Sequence, residues 1–298
     1  MRSVNPSARL VAALLGLGLC LAAPVALAVE APRGLLATHA GNRELTWNDA
    51  LSDLASADVV FLGEQHGDPA THRLELAVLQ GLHEAVGARM ILSFEMFERD
   101  VQPVLDAYLQ GRIPEAEFLA KSRPWPNYAT DYRPLVEYAK AHGLPVLASN
   151  VPRRLASLVA KQGLEALSGL SAEERRWAAA TIDCPKDRLW ERFQETMQGH
   201  PGLGEAQIER MYLAQCLKDA TMAESIARAA AADAGSAFLH LNGAFHSDEG
   251  LGVPAQLGRL APQLTSRVAT ALPADSRMDV PPAGLAHVVF MVNREKKE

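Results

Sequence analysis

Four apolar segments of the sequence end in side chains that can bind a metal ion or move a proton. The segments span residues 59–63, 90–94, 145–149 and 237–241. The side chains that follow them are Glu64, His66, Glu95, Asn150 and His246. Short apolar runs of this kind are typical of buried strands. Because the carboxyl ends of parallel strands open onto one crevice, these side chains predict a single shared site.

Carboxylates and imidazoles at such a site suit two kinds of chemistry. The residues concerned are Glu64, His66, Glu95 and His246. They offer oxygen and nitrogen ligands to a divalent metal such as zinc, manganese or iron. They also suit general acid–base catalysis, with a histidine that relays protons. No local spacing matches a standard metal motif, and the segment around His246 taken alone is also compatible with a surface loop.

A second group of residues combines tyrosine and arginine in one segment, 123–134. Its aromatic and basic members are Arg123, Trp125, Tyr128, Tyr132 and Arg133. A tyrosinate can be an axial ligand of ferric haem, and arginine can pair with the haem propionates. The same composition is also typical of an aromatic loop that packs on a sheet. The residue types alone favour the loop.

The elements that must position these groups alternate along the chain. We predict helices over 46–55, 68–86, 101–110, 114–121, 131–142, 205–232 and 253–260. We predict strands over the four apolar segments and over 267–272 and 287–292. Helix starts are marked by a capping box at Thr46 and by Asp68 followed by Pro69. The alternation predicts an α/β fold with a mainly parallel central sheet flanked by helices.

Residues from about 153 to 202 contain helix formers and no strand-like run. We interpret them as a helical insertion that forms a smaller helical subdomain, either a lid or ordinary packing helices. In the long helix that follows, Gln215 and Asp219 interrupt an apolar stripe. If these side chains were buried without hydrogen-bond partners, each would lower the stability of the fold by about 1–3 kcal/mol. We therefore expect them to face polar groups of the site or the neighbouring backbone. The alternative is that the stripe is exposed to solvent at these two positions.

The N-terminal 28 residues are typical of a secretory signal peptide. Arg2 and Arg9 precede an apolar core that ends in a small-x-small motif at Ala28. Cys20 suggests a lipid-attachment box, but Leu19 before it is larger than such a box normally allows. We therefore expect cleavage after Ala28, with a lipid anchor at Cys20 as the less favoured alternative. The exported chain, residues 29–298, is expected to be periplasmic or associated with the envelope.

Charge and cysteine content exclude several classes of protein. Removal of the leader takes away two arginines and no acid, so the formal net charge falls from −6 to −8. Such an acidic chain is not expected to bind nucleic acid. The chain has no Gly-x-Ser-x-Gly elbow and no histidine beside a cysteine, which disfavours serine and cysteine hydrolases. Cys184 and Cys216 permit one disulfide, and the sequence leaves open whether they form it.

Five blocks in order along the chain resemble a known family. They span residues 60–68, 93–97, 132–139, 145–153 and 215–224. Together they resemble the ChaN-like haem-binding uptake proteins of the Tiki/TraB/erythromycin-esterase superfamily. The resemblance implies export to the bacterial envelope and haem binding linked to iron or haem acquisition or storage. It further implies an envelope haem-uptake system as partner, and haem held through a tyrosine, with the interface of a homodimer as one location.

The resemblance also implies roles for particular residues. Glu64, His66, Glu95 and His246 match the acidic and histidine positions of the superfamily. Tyr132 is the predicted haem ligand, with Tyr128 and Tyr212 as alternatives. The other predicted haem-binding residues are Arg133, Asn150 and Arg153. The peptidase and esterase branches of the superfamily imply the alternative function, a metal-dependent hydrolase that uses the Glu/His cluster as its catalytic set.

Overall fold

A computed structural model describes residues 29–33, 35–39, 43–198, 202–274 and 281–293. The predicted signal peptide lies outside these residues. Within these ranges, eight strands form one sheet. They are β1 (Leu36–His39), β2 (Glu44–Leu45), β3 (Val59–Glu64), β4 (Met90–Glu98), β5 (Val146–Asn150), β6 (Ala237–Gly243), β7 (Ser266–Pro273) and β8 (Val288–Val292).

Ten α-helices occur in the described part of the chain. They are α1 (Trp47–Ala55), α2 (Pro69–Val86), α3 (Gln102–Leu109), α4 (Glu115–Ser122), α5 (Arg133–His142), α6 (Arg153–Gln162), α7 (Ala172–Arg175), α8 (Arg188–Met197), α9 (Glu205–Ala232) and α10 (Val253–Leu260). The helix predicted from residue 131 begins at Arg133, because Tyr128–Tyr132 forms a π-helical turn before it. None of these helices has the length and apolar character needed to cross a membrane.

The strand order is β2-β1-β8-β7-β3-β6-β4-β5. The six strands from β8 to β5 run parallel, and β1 pairs antiparallel with β2 and β8. The predicted mainly parallel α/β fold is therefore confirmed. The two antiparallel strands at the edge were not predicted, because β2 has only two residues and β1 only four. Neither is long enough to establish a pattern.

Helices cover both faces of the sheet, which explains the continuous apolar runs in its strands. Val60 and Leu62 of β3 face a core shared with α1 to α5, and Val59 and Phe61 face a second core shared with α9 and α10. A parallel strand buried on both sides has no solvent face, so its sequence does not alternate. Every residue of β3 is buried.

The structure confirms the two helix starts that the sequence predicts. Thr46 Oγ1 accepts a hydrogen bond from the Asp49 amide at 3.1 Å, at the start of α1. Asp68 Oδ1 accepts one from the Ala70 amide at 3.0 Å, and Pro69 is the first residue of α2. Since β3 ends only a few residues before α2, this tight junction places His66 and α2 next to each other.

The region between β5 and α9 contains helices and no strand among its described residues. Its helices pack on the first half of α9 through Leu155 and Leu217, while Met222 and Ile226 in the second half of α9 pack on the sheet. A disulfide joins Cys184 to Cys216 of α9. Because α9 belongs to both parts, the boundaries of a separate helical subdomain stay a prediction.

Candidate functional site

A cleft of about 840 Å³ opens at the carboxyl ends of the parallel strands. Its floor is formed by the ends of β3, β4, β5 and β6, as the strand-end residues predicted. The predicted residues that line it are Glu64, His66, Glu95, Asn150, Arg153 and His246. The sheet therefore brings together six of the eight predicted residues, including all four of the predicted metal or catalytic set.

Glu64 and His66 form a close pair at the end of β3. His66 Nδ1 lies 2.5 Å from Glu64 Oε1. The Glu64 side chain is fully buried, whereas the His66 side chain is 48% exposed. The hydrogen bond to Glu64 raises the pKa of His66, and although burial acts in the opposite direction, the net shift is upward. The pair therefore presents a basic imidazole, held at one nitrogen, to the open cleft.

The other edge of the His66 ring lies against Gly243 at the end of β6. A Cβ atom at this position would lie 2.8 Å from His66 Nε2 and 2.9 Å from Cε1. Real Cβ atoms do not approach other atoms so closely. The His66 ring can therefore occupy this position because residue 243 is a glycine, which has no side chain. The ring also makes an edge contact with Trp125, with centroids 5.1 Å apart.

His246 lies between two carboxylates on the opposite side of the floor. Its Nδ1 is 2.5 Å from Asp219 Oδ1, and its Nε2 is 3.5 Å from Glu95 Oε1. Glu95 Oε2 in turn accepts a hydrogen bond from the Gly243 amide at 2.8 Å. Burial alone would lower the pKa of His246, but Glu95 and Asp219 outweigh it and the pKa is raised. His246 is therefore a buried site residue and not a surface-loop histidine.

The pKa values of the two carboxylates shift in opposite directions. Burial raises the pKa of Asp219, and His246 offsets this only in part. Burial also acts to raise the pKa of Glu95, but His246, Lys218 and the Gly243 amide outweigh it and the pKa is lowered. The floor of the cleft therefore combines a carboxylate that readily ionises with one that holds its proton more strongly.

A third set of polar residues lies behind Glu64, on the side of α2. His72 Nδ1 is 2.8 Å from Glu75 Oε2, and His72 Nε2 is 3.1 Å from Asp131 Oδ2. Tyr132 donates a hydrogen bond from its hydroxyl to Glu64 Oε1 at 2.7 Å. Burial and the neighbouring Glu64 raise the pKa of Glu75 well above its ordinary value. This buried set reaches the cleft through Glu64, and its Tyr132 ring also contacts Trp125 of the cleft wall, with centroids 6.0 Å apart.

The sequence singled out part of this arrangement. It predicted that Asp219 faces polar groups of the site, which its contact with His246 confirms. It missed Glu75 and Asp131. Glu75 lies three residues after His72 on α2, and that spacing was the available signal.

Two predicted haem-binding residues lie outside the cleft. Arg133 is exposed and pairs with Glu115, with Nε 2.5 Å from Oε1. Tyr132 is fully buried, and burial together with Glu64 raises the pKa of its hydroxyl, which opposes the tyrosinate form. The predicted role of Tyr132 as haem ligand therefore stays a prediction that this geometry does not support.

The other tyrosines do not replace it, because none of the five tyrosines of the chain lines the cleft. Tyr128 and Tyr212, the two predicted alternatives, are buried. The Tyr212 hydroxyl donates a hydrogen bond to the Pro185 carbonyl at 2.7 Å. Tyr108 and Tyr138 bond to Glu137 and His83, respectively.

The walls of the cleft combine apolar rings with positive charge. Trp125, Phe193 and Phe245 contribute aromatic surface, and Arg153 and Lys218 contribute cations. A third cation in the wall, Arg192, is paired with Asp248, with Nη2 3.3 Å from Oδ2. An apolar cleft with a few polar groups that converge on it is typical of small-molecule sites.

Fold and site together define an α/β protein with a ligand cleft at the carboxyl edge of a parallel sheet. Comparison with family models identifies the family. The chain belongs to the ChaN family of haem-binding uptake proteins in the Tiki superfamily, whose model matches residues 50–257.

Solved structures share this fold. The Campylobacter jejuni ChaN structure described as "cofacial heme binding" has a TM-score of 0.66 at 14% identity, and the match covers 87% of this chain and 97% of that one. The type III effector HopBA1 has a TM-score of 0.50 at 13% identity, with 91% and 100% covered. At these identities the likeness shows the fold alone.

One curated relative matches a smaller part of the chain. The chloroplastic protein RETICULATA-RELATED 5 of Arabidopsis thaliana is 27% identical over 129 residues, which are 41% of this chain. The match spans only 17% of the length of that relative.

Proposed function

We propose that this chain is an exported haem-binding protein that serves haem or iron acquisition or storage at the bacterial envelope. The observation that carries the proposal is the cleft, which combines aromatic walls, the cationic side chains of Arg153 and Lys218, and the half-exposed imidazole of His66. Its volume of about 840 Å³ lies within the range of small-molecule sites, roughly 300–1,000 Å³. Membership of the ChaN family supports the same ligand.

The residues of the cleft fit the chemistry of haem. Trp125 and Phe245 offer apolar faces to a porphyrin, and Arg153 and Lys218 offer charge to its propionates. His66 is the histidine of the cleft with substantial exposure, and Glu64 holds its Nδ1, so Nε2 is the nitrogen that would bind iron. Because Nε2 lies against Gly243, the half-exposed ring would have to turn toward the cleft to form this bond. When bound, the haem would supply the iron centre, and these residues would hold and orient it.

Titration of the chain without its leader, residues 29–298, with haemin tests the proposal. We expect saturable binding in the micromolar range with a shifted Soret band. His66→Ala is expected to move the Soret band and weaken binding at least tenfold, because a ligand bond is lost. His83→Ala is the matched control, since His83 contacts Tyr138 and does not line the cleft. Absence of saturable binding by the unmodified chain would refute haem binding.

Export and partnership need separate measurements. Fractionation of cells that express the full chain should recover it, without residues 1–28, from the periplasm or the envelope. Light scattering with and without haem tests the proposed homodimer, which should form or tighten when haem is added. Recovery of the uncleaved chain from the cytoplasm would contradict the proposed localisation.

A second candidate function is a metal-dependent hydrolase acting on peptides or esters. The observation that favours it is that two histidine–carboxylate pairs, His66–Glu64 and His246–Asp219, border the same cleft. Such pairs are suited to general-base activation of water. Peptide and ester panels test it, and we expect Glu64→Gln to abolish any activity. Lack of turnover on every panel, with haem bound or absent, would exclude this function.

A further inference from the structure

Three buried side chains behind the cleft have the types and the spacing of metal ligands. Glu64 comes from the end of β3, and His72 and Glu75 lie three residues apart on α2. One ligand atom from each lies within 4.8 Å of the other two. Metal–ligand bonds of about 2.0–2.2 Å place ligand atoms roughly 3–4 Å apart, so small side-chain adjustments suffice.

Oxygen atoms of both carboxylates lack a hydrogen-bond donor. Glu64 Oε2 and Glu75 Oε1 have no partner within the described part of the chain, and their residues are 2% and 0% exposed. Buried polar atoms are nearly always paired in proteins, because removal from water without a partner is costly. These two atoms therefore indicate a positively charged or proton-donating partner between the side chains.

The charge of the cluster leads to the same conclusion. Three buried carboxylates, Glu64, Glu75 and Asp131, surround the single imidazole of His72. Among the described residues, the ion pairs found for these carboxylates involve only histidines. Carboxylates this deeply buried need a compensating charge. A divalent cation would balance two of them, and shared protons are the competing explanation.

The surroundings also match those of a metal-bound histidine. With His72 Nδ1 directed at the two glutamates, its Nε2 faces Asp131 Oδ2 at 3.1 Å. This contact does not have hydrogen-bond geometry, because His72 Nε2 makes no hydrogen bond within the described residues. Metal-bound histidines commonly donate their second ring N–H to a carboxylate, and a small rotation of the ring would allow it here. Asp131 is itself fixed by Asn127 Nδ2, which donates to Oδ2 at 2.6 Å, and by the Thr130 hydroxyl, which donates to Oδ1 at 2.7 Å.

We propose that Glu64, His72 and Glu75 bind a divalent transition-metal ion in a site separate from the haem cleft, with Asp131 orienting His72. Mixed carboxylate and imidazole ligands suit zinc, manganese or ferrous iron. Glu64 lines the cleft, so it is the ligand of this site that lies nearest to the cleft. Of the residues predicted from the sequence as metal ligands, only Glu64 belongs to this site. His66, Glu95 and His246 remain with the cleft.

Metal analysis of haem-free protein tests the site without reference to haem. The chain of residues 29–298 is stripped with a chelator, incubated with excess Zn²⁺, desalted and analysed by mass spectrometry for zinc. We expect one zinc ion per chain. His72→Gln and Glu75→Gln should each reduce retained zinc to background, and Asp131→Asn should weaken zinc affinity about 10–100-fold.

Controls on the same helix separate ligand loss from general damage. His83→Gln and Glu84→Gln change the same residue types on α2 away from the cluster, and both should retain one zinc ion. If the two ligand variants do not fold, the visible spectrum of the unmodified chain loaded with Co²⁺ shows whether the protein binds a metal ion. Nitrogen and oxygen ligands in a protein site give Co²⁺ distinct d–d bands.

Three results would overturn the proposal. The first is that the unmodified chain retains no zinc and shows no d–d bands with Co²⁺, which would assign the cluster to shared protons. The second is that His72→Gln and Glu75→Gln retain zinc like the unmodified chain. The third is that His246→Gln loses the zinc while His72→Gln keeps it, which would place the ion in the cleft. Haem titration of the same samples reports separately on the proposed haem function.

Discussion

His246 and Asp219 are 27 residues apart in sequence, yet their Nδ1 and Oδ1 atoms lie 2.5 Å apart at the floor of the cleft. Both side chains are almost fully buried, and Glu95 faces the other nitrogen of the ring. An imidazolium in this position is stabilised by two carboxylates against the cost of burial. The pKa of His246 is raised as a result.

This relationship predicts a pH dependence of stability. A histidine with a raised folded pKa contributes stability that is complete below the unfolded pKa, about 6.5, and is lost as pH rises through the folded pKa. Asp219→Asn removes one of the carboxylates that raise the pKa. Its free energy of unfolding should therefore fall further below that of the unmodified chain at about pH 6 than at about pH 8.5.

Urea unfolding of the two proteins at both pH values measures this difference. Asp233→Asn, at the exposed end of the same helix, is the control and should show an equal effect at both pH values. An Asp219→Asn deficit that is constant with pH, or larger at alkaline pH, would contradict the interpretation of His246 as a stabilised imidazolium.

Tyr132→Phe separates a structural role of this tyrosine from haem ligation. The change keeps the buried ring but removes the hydroxyl that donates to Glu64 at 2.7 Å. Loss of a buried hydrogen bond to a carboxylate should lower the free energy of unfolding by about 1–3 kcal/mol, measured in urea at neutral pH. Since Tyr132 does not line the cleft, the Soret band of the haem complex should stay in place.

Tyr138→Phe is the comparison for this variant. Its hydroxyl lies 2.9 Å from His83 Nδ1 in a half-buried position, so its loss should cost less. A Soret band that changes in Tyr132→Phe and not in Tyr138→Phe would restore Tyr132 as the haem ligand. It would then require that the tyrosine leave Glu64 when haem binds.

The sequence predicted the centre of the fold because that part has no solvent face. Continuous apolar runs such as 59–63 and abrupt polar ends such as Glu64 are visible without any partner. The antiparallel edge strands carry no comparable signal, since β2 has two residues and its position depends on pairing with β1. The parallel order of six strands then explains why residues far apart in sequence converge on one cleft.

The parts of the site that the sequence did not predict depend on side-chain direction. Asp131 lies in a π-helical turn, where the usual helical periodicity no longer tells which way a side chain points. Glu75 occurs within an ordinary helix, and only the packing of α2 beside β3 brings it to Glu64. In both cases the residue type indicates the chemistry, but only tertiary packing decides which residues lie in the same site.

Gly243→Ala tests whether the close approach of His66 to the end of β6 serves ligand binding. The added methyl group would lie 2.8 Å from His66 Nε2, and the half-exposed imidazole can move away from it. We therefore expect a stability change below about 1 kcal/mol but weaker haem binding and an altered Soret band. The φ angle of Gly243 is −56°, so alanine introduces no backbone strain.

Gly258→Ala is the control for this substitution, because its added methyl group meets no atom within 4 Å. It should leave haem affinity unchanged. Equal haem binding by Gly243→Ala and the unmodified chain would show that His66 is not a determinant of the haem site. The cations in the walls, Arg153 and Lys218, would then be the candidate determinants.

Reduction of the disulfide should destabilise the helical region that borders the cleft. Cys184 and Cys216 are separated by 32 residues, and the bond ties the segment before α8 to α9, which also carries Asp219. Loss of such a cross-link costs about 2–4 kcal/mol, mainly because the unfolded chain becomes less constrained. The urea midpoint should therefore fall when dithiothreitol is added. A Cys184→Ser/Cys216→Ser double variant should start from the lower midpoint and not respond to the reductant, whereas a response of the double variant would assign the effect to something other than this bond.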